Sequence, residues 1–537
     1  MQIQHSSVSS CRRQCLGYIA AIIVLVASSA VRAQDADKAD VFKGFDSWAD
    51  SVMSDWKVPG MAVAAIHDGE VVWAKGYGYR NVEEKLPVTA ETLFAIGSNS
   101  KSFTVTLLGM LDDEGLIDWD KPVRDYLPGF QMHDPTATLH MTARDLVTHR
   151  SGLPRHDELW YGAGRSRRDL FERLRYLKPT KEFRSTFQYQ NLMFMTAGYL
   201  AGQVADSTWE TLVSDKIMKR LGMQRSNFSV DDMPDDADFS YPYSVASEDS
   251  DEVIRIPFRN IDAIGPAGSI NSCVSEMMHY VQFHIDYGEF GGNRLLSEQN
   301  ARQMQIPQMV TSISANPEQY EELGDGTYGL GLAVSTYRGH KYVGHGGGID
   351  GFISAMSWLP HDRIGAVVLT NFSGGPNPVP NIVVRNVFDR LLGLDPINWN
   401  ARTRERTDEA LAKRDEAREK AAAQQKKRTK PSHSLADYEG EYEQSGYGKV
   451  TITRDGDTLR CAFGGYDLPL EHFHYDVFAV PTDAPREVGA FRRRRMQFFY
   501  NKQGDIDRVA IPMEPRLDDI VFKRVKTEEP EKDDDDE

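Results

Sequence analysis

The stretch Phe94-Ala-Ile-Gly-Ser-Asn-Ser-Lys-Ser-Phe-Thr104 places a hydroxyl at Ser98 and an amine at Lys101 just where an apolar helix begins. Phe103, Leu107, Leu108, Met110 and Leu111 follow at helical spacing and predict a core-facing stripe. Residues three apart share one helix face with Cβ atoms about 5–6 Å apart, so the two side chains can touch. A serine hydroxyl is a weak nucleophile until a neighbouring base accepts its proton. Lysine can be that base only when neutral. A free lysine titrates near 10.4, so action at neutral pH needs a depression of about 3 units, worth about 4 kcal/mol. Burial and the positive end of a helix both push in that direction.

Spacing alone does not settle the matter, because the chain holds a second Ser-x-x-Lys at Ser54-Asp-Trp-Lys57. Tyr-x-Asn also occurs twice, at Tyr79-Arg-Asn81 and Tyr189-Gln-Asn191, and His67-Asp-Gly69 competes with His345-Gly-Gly347. The early set is explained by local structure. His67-Asp-Gly69 falls in the turn of a hairpin expected over Met61–Lys75, Tyr79-Arg-Asn81 follows its second strand, and no apolar helix starts at Ser54. In the late set Ser98 opens a helix, Tyr189 and Asn191 precede the apolar run Leu192–Met195, and His345-Gly-Gly-Gly348 ends a strand. Separate segments contributing from their ends are how a pocket is assembled.

These three elements, in this order, resemble the Ser-x-x-Lys, Tyr-x-Asn and Lys/His-x-Gly motifs of the penicillin-recognising serine hydrolases, which include the class C β-lactamases and their esterase and peptidase relatives. Asp145-Leu-Val-Thr-His-Arg-Ser-Gly-Leu-Pro154, Gly265-Pro-Ala-Gly268 and Tyr328-Gly-Leu-Gly331 extend the similarity over roughly residues 40–395. The resemblance implies an acyl-enzyme on Ser98, with Lys101 and Tyr189 as proton carriers; which of them takes the first proton stays open. It implies that Asn191 orients Lys101 and meets a substrate amide. It also implies an oxyanion site from the backbone N–H groups of Ser98 and Gly348, with Gly347 allowing close approach to the strand. His345 stands where β-lactamases and transpeptidases usually carry lysine. A histidine titrating near 6.5 is a partial, pH-dependent carboxylate anchor, which favours an esterase or peptidase over a β-lactamase. Phe183-Arg-Ser185 departs from a family Pro-Gly and leaves the shape of the pocket rim open. His149 is expected to close a helix end.

The resulting expectation is an exported serine hydrolase of an ester, peptide or amide bond that needs no metal or cofactor. A D-alanyl-D-alanine carboxypeptidase or β-lactamase is the alternative within the class, and a non-catalytic scaffold the alternative outside it. A formal charge of −17 argues against a nucleic-acid partner. Residues 1–33, with Arg12 and Arg13 ahead of the apolar run Leu16–Ala30, read as a signal peptide, with an uncleaved anchor as the alternative. Only Cys273 and Cys461 remain beyond it, expected as two free thiols.

Strand patterns at both ends of residues 34–400 with helices between predict an α+β fold, a β-lactamase-like antiparallel sheet carrying a helical insertion. A helix capped by Thr142, with Asp145 three positions on, and closed at Gly152-Leu-Pro154, and another capped by Asn271 or Ser272 belong to that insertion. Residues 401–433 read as a charged linker helix, 434–527 as a small barrel-like β domain, and 528–537 as an acidic disordered tail. The β domain resembles modules appended to some of these hydrolases. His472 and His474 lack a visible third metal ligand, and Arg492–Arg495 reads as a solvated strand.

Overall fold

The computed structural model describes residues 41–526 except 248–249, 312–320, 486–487 and 489–490. The expected export segment and acidic tail lie outside the described residues. In chain order, the elements that build the hydrolase-like part are β1 (Gly60–His67), β2 (Glu70–Asn81), α1 (Ser100–Asp113), α2 (Asn191–Val204), α3 (Val274–Ile285), β3 (Ala333–Tyr337), β4 (His340–Ile349), β5 (Phe352–Leu359), β6 (Ile364–Thr370) and α4 (Val379–Leu391).

The strands form a nine-stranded antiparallel sheet in which β3, β4, β5, β6, β1 and β2 are successive neighbours. The N-terminal hairpin therefore lies beside the C-terminal meander, and the intervening helices form the expected insertion. Asp68 and Gly69, with φ of 51° and 83°, make the tight turn between β1 and β2. Every residue of β6, and all of β1 but its last, is buried. Alternate side chains feed two cores: Ala62, Ala64, Val367 and Leu369 face one layer, and Met61, Val63, Ala366 and Val368 the other. Helix α3 packs on the first face of β6 and α4 on the second, so these two strands read as continuous apolar runs.

Helix α1 is buried from Ser100 through Leu111, not along one stripe as the apolar spacing predicts. Its polar residues are accommodated because Thr104 donates to the Pro266 carbonyl at 2.7 Å and Thr106 bonds the Tyr280 hydroxyl at 3.0 Å. Helix α3 starts one or two residues later than expected. Cys273 is its N-cap, while Asn271 and Ser272 form a short strand paired with Phe94–Ala95, just ahead of Ser98.

The segment ahead of Tyr189 is held by a charge cluster. Thr142 and Asp145 form the expected capping box, but the helix it opens is a single turn, Ala143–Leu146, and ends well short of the expected Gly152-Leu-Pro154. The fully buried Asp145 carboxylate also binds Arg150 at 2.5 Å and Arg184 at 2.6 Å. Arg184 is the residue in Phe183-Arg-Ser185 that departs from the family pattern. It adopts φ of 65°, a conformation favouring glycine, and its pairing with Asp145 offsets that strain. Backbone bonds from Arg184 to Arg150 and from Gln188 to His149 complete the tie between the two segments.

Helix Trp399–Ala422 is exposed along most of its length and leads to a closed eight-stranded barrel between Gly440 and Arg524. Closure comes from the pairing of Tyr442 with Arg524. Cys273 and Cys461 are both free and buried, in different parts of the chain. The Arg492–Arg495 run is used internally: Arg492 bonds the Ala484 carbonyl, Arg494 pairs with Glu158, and Arg495 bonds the Ala421 carbonyl.

Burial alone raises the Asp145 pKa, but the Arg184 hydrogen bond and the Arg150 charge outweigh it and hold it below 3.8. A carboxylate depressed in the folded state stabilises above its unfolded pKa, and that stability is lost as pH falls through the folded value. Asp145→Ala is expected to cost about 3 kcal/mol at pH 7, at the low end for a broken buried pair because Arg184 stays partly hydrated. Urea melts of both proteins should show the gap closing below about pH 4; a gap independent of pH counts against the ion-pair account.

Candidate active site

Ser98 sits in a single 3-10 turn, Gly97–Asn99, that runs directly into α1 and puts Lys101 in the helix's first turn. The turn is pinned to β5 because Asn99 Nδ2 donates to Ser354 Oγ at 2.8 Å and Ser354 Oγ donates to the Ile96 carbonyl at 2.8 Å. Ser100 Oγ donates to the Gly97 carbonyl at 2.8 Å and accepts from the Ile270 N–H at 3.0 Å.

Against this turn lies the end of β4. Gly97 has φ of 53°, and a Cβ there would come within 2.6 Å of the Gly348 nitrogen. A Cβ on Gly347 would approach the Ile96 carbonyl oxygen to 1.9 Å. Both positions exclude any side chain, so Ser98 and the Gly347–Gly348 backbone share one wall.

The Lys101 amine is fully buried and has three oxygen partners: Ser98 Oγ at 2.9 Å, Asn191 Oδ1 at 2.8 Å and the Ala267 carbonyl at 2.7 Å. Burial, reinforced by the positive charge of Arg155, pushes its pKa well below the usual lysine value, against a smaller opposing effect of Asp157. Two of the three partners, the amide oxygen and the carbonyl, only accept. A neutral amine gives its two N–H bonds to them and turns its lone pair toward Ser98.

Asn191 is the first residue of α2, and its Nδ2 donates to Asp157 Oδ1 at 3.2 Å. The Tyr189 ring lies 4.9 Å from Lys101 Nζ. Burial raises the Tyr189 phenol to about 12, with a hydrogen bond from Ser98 and the charge of Arg155 pulling the other way. His149 stacks on Tyr189 with centroids 4.2 Å apart, and its Nδ1 accepts from the Gln190 N–H at 3.0 Å. It therefore backs the tyrosine as well as terminating its own segment, where its φ is 56°.

His345 differs from its sequence expectation. Its Nδ1 contacts the Gly346 carbonyl at 2.5 Å, so that nitrogen carries the proton, and Nε2 accepts from the Tyr328 hydroxyl at 3.0 Å. Burial, with the nearby Lys101 charge, lowers its pKa to about 3. It is neutral at physiological pH, a hydrogen-bonding wall and not a titrating cation.

The decoys lie elsewhere. Lys57, three residues past Ser54, follows the end of helix Phe45–Asp55 and pairs with Asp251. Tyr79-Arg-Asn81 and His67 end strands of the hairpin. Spacing alone did not reveal Arg155, Asp157 or the supporting role of Tyr328. The first two follow Gly152-Leu-Pro154 in a loop whose approach to Asn191 is a purely tertiary fact, whereas Tyr328 lay within a motif noted for similarity alone.

That loop is held from outside by the C-terminal barrel. His156 Nδ1 bonds the Tyr447 hydroxyl at 2.8 Å, and the His156 N–H donates to Glu514 at 2.9 Å. Arg165 donates to the Tyr447 carbonyl at 2.5 Å, Glu158 pairs with Arg494, and the Gly465 N–H donates to the Gly162 carbonyl at 2.8 Å. Further along the loop, Tyr161 bonds Asp350, one residue beyond β4.

The family profile described as Beta-lactamase matches residues 45–387, and one described as a domain of unknown function (DUF3471) matches residues 424–524. Unguisins hydrolase ungD of Aspergillus violaceofuscus is 26% identical over 526 residues, covering 90% of each chain. The D-aminopeptidase of Gluconobacter oxydans is 29% identical over 326 residues, 58% of this chain and 56% of that one. Among solved structures, the octameric penicillin-binding protein homologue from Pyrococcus abyssi superposes with a TM-score of 0.57 at 26% identity, over 89% of this chain and 98% of the other. With its profile match extending over the sheet, the helical insertion and every residue around Ser98, the chain belongs to the β-lactamase family, as a serine hydrolase.

Proposed function

We propose that this protein cleaves an amide or ester bond of a small or peptidic substrate through an acyl-enzyme on Ser98, and that it does so outside the cytoplasm. The observation that carries the reading is the buried Lys101 amine, whose two pure acceptors leave its lone pair for Ser98. In the proposed sequence Lys101 takes the hydroxyl proton as Ser98 Oγ attacks the carbonyl carbon. The backbone N–H groups of Ser98 and Gly348 stabilise the oxyanion. Tyr189, protonated at neutral pH, relays a proton to the departing nitrogen or oxygen, and water then hydrolyses the ester. A relative named as a D-aminopeptidase favours an amide or peptide bond.

Intact mass of the purified chain after exposure to a fluorophosphonate should show one adduct, absent in Ser98→Ala and retained in Ser54→Ala. Equal labelling of both variants overturns the assignment. A penicillin adduct on Ser98 moves the chemistry to lactams or cell-wall peptides.

The rate should rise with pH through the depressed Lys101 pKa, because only the neutral amine accepts a proton. With the His345 pKa at about 3, a His345→Gln variant should keep that inflection, measured as kcat/KM against pH. An inflection near 6.5 that disappears with His345 contradicts the buried, neutral histidine.

If residues 1–33 act as a signal, the mature chain isolated from the cell exterior or envelope begins at Gln34, and N-terminal mass analysis checks this. A chain retaining residues 1–33 there supports the anchor instead.

A further inference from the structure

Arg155 has no place in the proposed proton path, yet it stands at the mouth of the site. Its guanidinium lies 5.2 Å from the Tyr189 ring centroid, and its charge acts on Lys101, Tyr189 and His149. The Nε edge is fixed by an ion pair with Asp157. Asp157 is itself fixed, its Oδ1 accepting from Asn191 Nδ2 at 3.2 Å and from Trp160 Nε1 at 3.1 Å. Among the described residues nothing accepts from the two terminal Nη groups, and the side chain is 46% exposed.

We propose that Arg155 is the carboxylate anchor of this enzyme and that its substrate carries a carboxylate within reach of Tyr189. The proposal rests on the serine hydrolase reading and specifies its substrate class. Three observations converge on it. A guanidinium keeps its charge at every physiological pH, and its fork matches a carboxylate. His345, at the position where the motif resemblance implies a charged anchor, is neutral and occupied by Tyr328. Asp157 engages Arg155 through Nε, which leaves the terminal N–H donors of a guanidinium 5.2 Å from the Tyr189 ring centroid for a ligand. Pairing of this kind contributes enough to separate an anion from its neutral counterpart by roughly tenfold or more.

The test uses two pairs of fluorophosphonates on the full chain. In one pair the carboxylate, or its matching carboxamide, sits on the phosphorus-bound carbon chain; in the other it sits on the alkoxy arm. The readout is the acid-to-amide ratio of second-order labelling rates at Ser98, which cancels any effect of Arg155 on Lys101 that both probes share. The wild type is expected to prefer the acid about tenfold or more in one pair, and the preferring pair shows on which side of the scissile bond the carboxylate lies. Arg155→Gln should bring that ratio to within about threefold of unity, and Arg155→Lys should keep part of it. Ratios near unity in both wild-type pairs, or a preference that survives in Arg155→Gln, overturn the anchor while leaving the nucleophile standing. Absence of any label on Ser98 removes the serine reading, and the anchor with it.

Discussion

The enclosed Lys101 amine is the constraint around which this part of the molecule is arranged. An ammonium ion placed there has lost its water, and among the described residues no carboxylate is bonded to it; its partners there are a hydroxyl and two neutral carbonyl-type oxygens. Loss of the proton relieves the problem, and the same partners then dictate which way the lone pair points. That geometry requires the Gly265–Gly268 turn to wedge its carbonyls against α1 and requires α2 to begin at Asn191. Much of the helical insertion can be understood as packing that brings those two oxygens within 3 Å of one nitrogen.

Around this centre the aromatic groups act as a dry wall. His149, Tyr189, Tyr328 and Phe194 contact one another or Lys101, and none brings a second fixed charge to the amine. Charges are kept to the rim, where Arg155 and Asp157 neutralise each other in part. The resulting gradient, apolar at the amine and charged at the opening, is one in which a substrate sheds water as it approaches the serine.

Much of this could be read from the sequence, and the limits of that reading have physical causes. Ser98 and Lys101 were legible because helix geometry is local: three positions fix a distance. The central strands and the β1–β2 turn were legible for the same reason, through apolar runs and Asp68-Gly69. Tyr189, Asn191, His345, Gly347 and Gly348 became legible only through resemblance, since no local rule brings together segments so far apart. Composition could not foresee the charge state of His345, which depends on a tyrosine hydroxyl and a carbonyl arriving from the fold. Nor could it give Arg184 a purpose, because the compensating partner is Asp145, 39 positions away. The α3 cap was misplaced by one or two residues because Asn271 and Ser272 are drawn into a strand against Phe94–Ala95, a tertiary pairing that overrides capping preference.

The loop carrying Arg155, Asp157 and Tyr161 belongs to the hydrolase in sequence, but much of its outer hydrogen bonding is to the barrel, through Tyr447, Gly465, Arg494 and Glu514. The rim of the site is thus inherited as an object in two parts. A barrel taken from another chain would offer different partners to His156, Glu158 and Arg165, and would reset the angle at which the loop meets Tyr189. The loop that carries Arg155 and Asp157 is therefore positioned by contacts from both domains. A change at Tyr447 or Glu514 reaches that loop through His156 without touching Ser98, Lys101 or Tyr189.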